Sequence, residues 1–145
     1  MVAVGIWAGQ LGGRATWLVP ATFIGIMVAA AGIATLGGIV LTVESALANS
    51  ILVLGLIVAN TVRLPMGAVL SIVGLFAFCH GYAHGLEMSQ VSSPVHFQIG
   101  LVLATILLHG IGIGIGQSRR LRHYELLQRV AGMSLMTASA WFLMA

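Results

Sequence analysis

Residues 78 to 88 read FCHGYAHGLEM, and His80, His84 and Glu87 are the groups there that could do chemistry. On a helix, positions i, i+4 and i+7 fall within an arc of about 60°, so the three would line one stripe roughly 10 Å long. Two imidazoles one turn apart can share a metal ion, and a carboxylate can complete or neutralise the site. Imidazole suits nickel, copper, zinc and iron. Gly81 and Gly85 interleave with the histidines as G-x-x-x-G, which lets a neighbouring helix approach closely. Cys79 and Met88 are softer donors, but Cys79 projects about 100° away from His80, and both read as packing residues. A lone histidine in an apolar helix is often an interhelical hydrogen-bond partner. Three ionisable groups on one stripe favour a functional reading.

The elements that carry this stripe are set by the medium. The chain has 145 residues, 59% hydrophobic and only 6% charged, with a mean hydropathy of +1.09. A soluble domain carries about a quarter charged residues, so this chain has too little polar surface to face water. Residues 17–43, 46–62, 64–86, 96–116 and 126–145 are apolar runs near the roughly 17–25 residues that cross a bilayer as a helix. Backbone groups in lipid must be bonded within their own segment, so helices are expected. The fold class is an all-α integral membrane protein with about five full transmembrane helices and a partial N-terminal one. The whole chain, 1–145, reads as a single transmembrane helical domain. Its only cysteine, Cys79, excludes an intramolecular disulfide. The pI near 10.0 reflects six arginines and is no sign of a nucleic-acid partner.

Arg14, Arg63 and Arg119/Arg120/Arg122 fall in alternate connections, hence on one face, and Arg129 lies just inside the last run near the same face. By the positive-inside rule that face is cytoplasmic. The opposite face then carries Glu44, Glu87, the 89–94 loop and the C-terminus. Glu44 has no cation in either adjacent turn. Either it simply reaches the membrane interface, or with Glu87 it forms an acidic mouth that attracts divalent cations and couples their entry to protons. His96 opens the fifth run on that face and is a further candidate ligand. His109 lies about 20 Å deeper on the same run, a second station or a helix–helix contact. His123, in the basic loop, reads as solvated. The glycines at 110, 112, 114 and 116 read as tight packing or a flexible exit. The opening MVAVGIWAGQL is apolar but short, about 16 Å as a helix. Residues 1–11 are therefore expected to be the remnant of a truncated first span.

The sequence resembles the HupE/UreJ family of nickel permeases. That family's signature reads F-H-G-x-A-H-G-x-E, and residues 79–87 read C-H-G-Y-A-H-G-L-E, departing only at Cys79. GIWAGQLGGRA (5–15), ILLHGIGIGIG (106–116) and the arginine-rich last loop agree with it. The resemblance implies a permease of the bacterial inner membrane that supplies nickel for hydrogenase or urease. His80, His84 and Glu87 would handle the metal, with Glu44 added from the charge pattern. The family also carries an H-P-x-x-G-x-D-H motif ahead of the segment aligned with MVAVGIWA, and this sequence opens after that point. No permanently bound cofactor and no enzymatic activity are expected. The partners would be the bilayer and a nickel or cobalt ion, with homo-oligomerisation compatible. No G-x-x-x-x-G-K-[ST] motif is present to couple transport to a nucleotide. The alternatives are a haem protein, with His84 and His96 or His109 as axial ligands, and a non-transporting accessory subunit.

Overall fold

The structure, a computed structural model, describes residues 1–36, 43–118 and 124–144, and within those helices it leaves out the side chains of Glu44, Leu127, Phe142, Leu143 and Met144. In chain order the helices are α1 (Val2–Leu11), α2 (Ala15–Thr35), α3 (Glu44–Ala59), α4 (Met66–Met88), α5 (Pro94–Gln117) and α6 (Tyr124–Met144). No strand occurs among the described residues. Among the described residues, three helices, α2, α4 and α5, are long and apolar enough to cross a membrane, while α1 and α3 are shorter apolar helices. Helices appear in the order of the expected apolar runs, with shifted ends, and these three have the length and hydropathy of a span. Run 17–43 begins earlier, at Ala15, and residues 37–42 lie outside the described segments. Pro65 sits at the capping position just before α4, with ψ 143°.

The helices associate in three close pairs, α2 with α4, α1 with α5 and α3 with α6. Burial of apolar surface cannot drive this in lipid, so small residues that admit close contact must do it. A side chain at Gly81 would strike the backbone of Met27, and one at Gly85 the backbone of Ala31, so α4 lies directly on α2. In the run of alternating glycines, Gly112 and Gly116 meet α1 at Val2, Gly5, Ile6 and Gly9, whereas Gly110 and Gly114 face open space. The tight-packing reading therefore holds for one face of that run. Gly55 and Gly132 join α3 to α6 in the same manner.

Helix α1 is the most enclosed element, buried from Ala3 through Gln10. A helix apolar on every side belongs in an interior. Gly12 (φ 72°) and Gly13 (φ 53°) turn the chain from α1 into α2. At the end of α3, Thr61 takes up the left-handed conformation (φ 48°) usually given to glycine. Thr61 N–H donates to Val58 O and Val62 N–H to Ile57 O, closing the helix end. Trp7 Nε1 then donates to Val62 O at 2.9 Å and pins this turn to α1.

Two substitutions separate close contacts from open ones. Gly81→Ala is expected to destabilise the protein by about 1–3 kcal/mol, read as a lower melting temperature in detergent. Gly100, with nothing within 4 Å of an added Cβ, should gain about 0.4–1 kcal/mol as Gly100→Ala.

Candidate metal-handling site

With Gly81 and Gly85 committed to α2, the neighbouring stripe of α4 holds its histidines at the edge of that interface. His84 Nδ1–H donates to Glu87 Oε2 at 2.9 Å. The His84 side chain is 30% exposed and that of Glu87 63%, at the open end of α4. A carboxylate that takes the Nδ1 proton fixes the tautomer and leaves the Nε2 lone pair for a metal ion. The ring of Phe97, from the first turn of α5, stands 6.4 Å from that of His84.

His80, one turn deeper, faces a different environment. Its Nδ1–H donates to Phe76 O at 2.9 Å, and its ring lies edge-on to Phe23 of α2 at 5.7 Å. His109 of α5 reaches the same phenylalanine, with ring centroids 5.1 Å apart. His109 Nδ1–H donates to Thr105 O at 2.8 Å. The residue is 1% exposed, and its Nε2 is buried without a hydrogen-bond partner. The stripe therefore divides, with His84 and Glu87 at the open end and His80 turned towards the centre.

The remaining candidates lie apart from these. His96 is exposed at the start of α5, where its Nδ1 and the Ser93 hydroxyl share a hydrogen bond of 2.6 Å. Glu44 is the first residue of α3. Val43 before it packs in one cluster with Tyr82 and Leu86 of α4, which puts the Glu44 backbone at the same end as Glu87. Arg119, Arg120, Arg122 and His123 lie outside the described residues. Among the described residues, no three His, Cys, Asp or Glu side chains converge closely enough to hold a metal ion together.

Sequence reasoning missed Phe23, Met27, Thr105 and the polar pair Gln10 and Gln128. Phe23 and Met27 carry no signal in an apolar run. Thr105 lies four residues before His109, a spacing at which a histidine can bond the helix's own carbonyl. Gln10 Nε2 donates to Val58 O and to Gln128 Oε1, both at 2.9 Å, and Gln128 Nε2 donates to Ile115 O at 3.0 Å. These bonds tie α1, α3, α5 and α6 together at the end opposite Glu87. There a cavity of about 790 Å³ is lined by Asn60, Thr61, Arg63, Tyr124, Glu125 and Arg129, among others. Arg63, in the connection from α3 to α4, and Arg129, on α6, thus share one end, as the charge pattern predicts.

Comparison with known proteins bears on the motif and the chain around it. The family model described as HupE / UreJ protein matches residues 1–142. The chain belongs to this family. It is 40% identical to Protein HupE of Rhizobium leguminosarum bv. viciae over 141 residues, covering 97% of this chain and 73% of that one. No solved structure matches. In this HupE/UreJ chain the motif's glycines join α4 to α2, and its histidines divide between the open end and the interior.

The buried amide pair can be tested directly. Gln128→Leu withdraws a partner from buried polar groups on two other helices, α1 and α5. It is expected to cost about 1–3 kcal/mol, measured by thermal unfolding in detergent.

Proposed function

We propose that this chain is a permease for nickel or a similar divalent transition-metal ion, serving the maturation of hydrogenase or urease, and that it is not an enzyme. The observation that carries the reading is the His84–Glu87 hydrogen bond at the exposed end of α4. It presents an imidazole lone pair and a largely exposed carboxylate together, which is a first landing point for a hydrated dication. Membership of the HupE/UreJ family supports the same reading.

In this proposal the end bearing Glu44 and Glu87 faces outward, and the arginine end faces the cytoplasm of a bacterial inner membrane. Helices α3 and α6 complete five spans with α2, α4 and α5. The metal meets the two carboxylates first, exchanges water for His84, and passes inward along α4 past His80. Selection among nickel, cobalt and similar ions rests on geometry and availability, because affinity follows the metal more than the site.

The test is accumulation of radioactive nickel by cells that lack their own importer, at equal amounts of protein in the membrane. His84→Ala is expected to lower uptake by about 10–100-fold. Glu87→Gln keeps a hydrogen-bond acceptor for His84 but removes the charge, so its main effect should be a higher half-saturating nickel concentration. Uptake by His84→Ala equal to that of the unsubstituted chain would sink the proposal.

A further inference from the structure

We propose that His109, with His80 and Met27, forms a second, inner stop for the metal ion at the centre of the bundle. This deepens the permease reading and rests on it. The outer pair accounts for His84 and Glu87. It leaves unexplained an interior imidazole, His109, whose Nε2 has no hydrogen-bond partner.

His109 is 1% exposed, and its buried Nε2 has no hydrogen-bond partner. Burial of a polar atom without a partner destabilises a fold, and such atoms are correspondingly rare. An apolar side chain of similar size would fill the site without that cost. The tautomer follows from the Nδ1–H bond to Thr105 O, so the unpartnered atom is a lone pair and not a proton. A lone pair at that position calls for a cation or a donor.

The surroundings point to a metal ion. His80 has spent its Nδ1–H on Phe76 O in the same way, and both imidazoles pack on the ring of Phe23. Met27, one turn along α2 from Phe23, brings its thioether to 3.7 Å from Thr105 Oγ1. The Thr105 hydroxyl has a single proton, and Leu101 O at 2.7 Å is the stronger acceptor for it. The Met27 sulfur therefore keeps its lone pairs as well. Two imidazole nitrogens and a thioether are borderline-to-soft donors, suited to late first-row transition ions and poorly suited to magnesium or calcium.

All three donors are neutral. A dication resting among them keeps its full charge in an apolar interior, which prevents tight holding. The stop is therefore one of passage, favourable enough to enter and weak enough to leave. It should govern the speed of transport more than the concentration at which transport saturates.

The experiment measures initial rates of Ni²⁺ entry into liposomes containing the full chain and a metal-sensing dye, with Mg²⁺ as the hard-ion control. His109→Asn keeps a donor near the Nδ1 position and removes Nε2. It is expected to lower the maximum rate by about tenfold or more with little change in half-saturation, the reverse of the effect at Glu87. Met27→Leu conserves volume and is expected to slow Ni²⁺ in the same sense without lowering the melting temperature. A wild-type maximum rate in His109→Asn overturns the inner stop and leaves the permease reading intact. If His109→Asn loses folded protein along with rate, Met27→Leu decides: slower Ni²⁺ entry supports the stop, and an unchanged rate overturns it. Absence of Ni²⁺ entry with the unsubstituted chain overturns both.

Discussion

Close approach of helix backbones at glycine is the constraint on which the rest of this structure depends. Apolar side chains gain nothing by leaving lipid for one another, so helices hold together where small residues let their backbones touch. Each of the three main pairs uses this device: Gly81 and Gly85 against α2, Gly112 and Gly116 against Gly5 and Gly9, and Gly55 against Gly132. Once these contacts are made, the orientation of every other face follows. The polar residues of the bundle are placed by helices whose rotation the glycines have already set.

The FCHGYAHGLEM segment shows how closely packing and chemistry are joined. Its glycines and histidines alternate within the same turns of α4. The glycine face decides which helix α4 lies against, and the adjoining face carries the imidazoles. A rotation of α4 that improved one would spoil the other. The same arrangement separates the two histidines by depth. His84 has a carboxylate and access to the open end, while His80 has a backbone carbonyl and an aromatic ring.

Much of this was legible in the sequence. Apolar runs of the right length located the helices, and the i, i+4, i+7 spacing placed His80, His84 and Glu87 on one stripe. The G-x-x-x-G spacing announced a close neighbour without naming it as α2. Helix ends were less legible, because Pro20, the breaker within run 17–43, lies inside α2 and does not end it. The inward turn of His80 depends on Phe23, more than fifty residues away, and one apolar residue in an apolar run is indistinguishable from the next. The unpartnered Nε2 of His109 likewise depends on what the tertiary fold fails to supply. Gln10 and Gln128 carry no signal of their pairing, because an amide near the end of an apolar run also suits the membrane interface.

None of the three main helix pairs joins sequence neighbours: α1 waits for α5, α2 for α4 and α3 for α6. A ribosome delivers the chain from its N-terminal side, so the early helices enter the bilayer before their partners exist. The amide of Gln10 meets that of Gln128 only when α6 emerges, 118 residues later. Until then α1 carries a polar group and two glycine notches that any passing helix can occupy. Helix α6 thus completes the burial of α1.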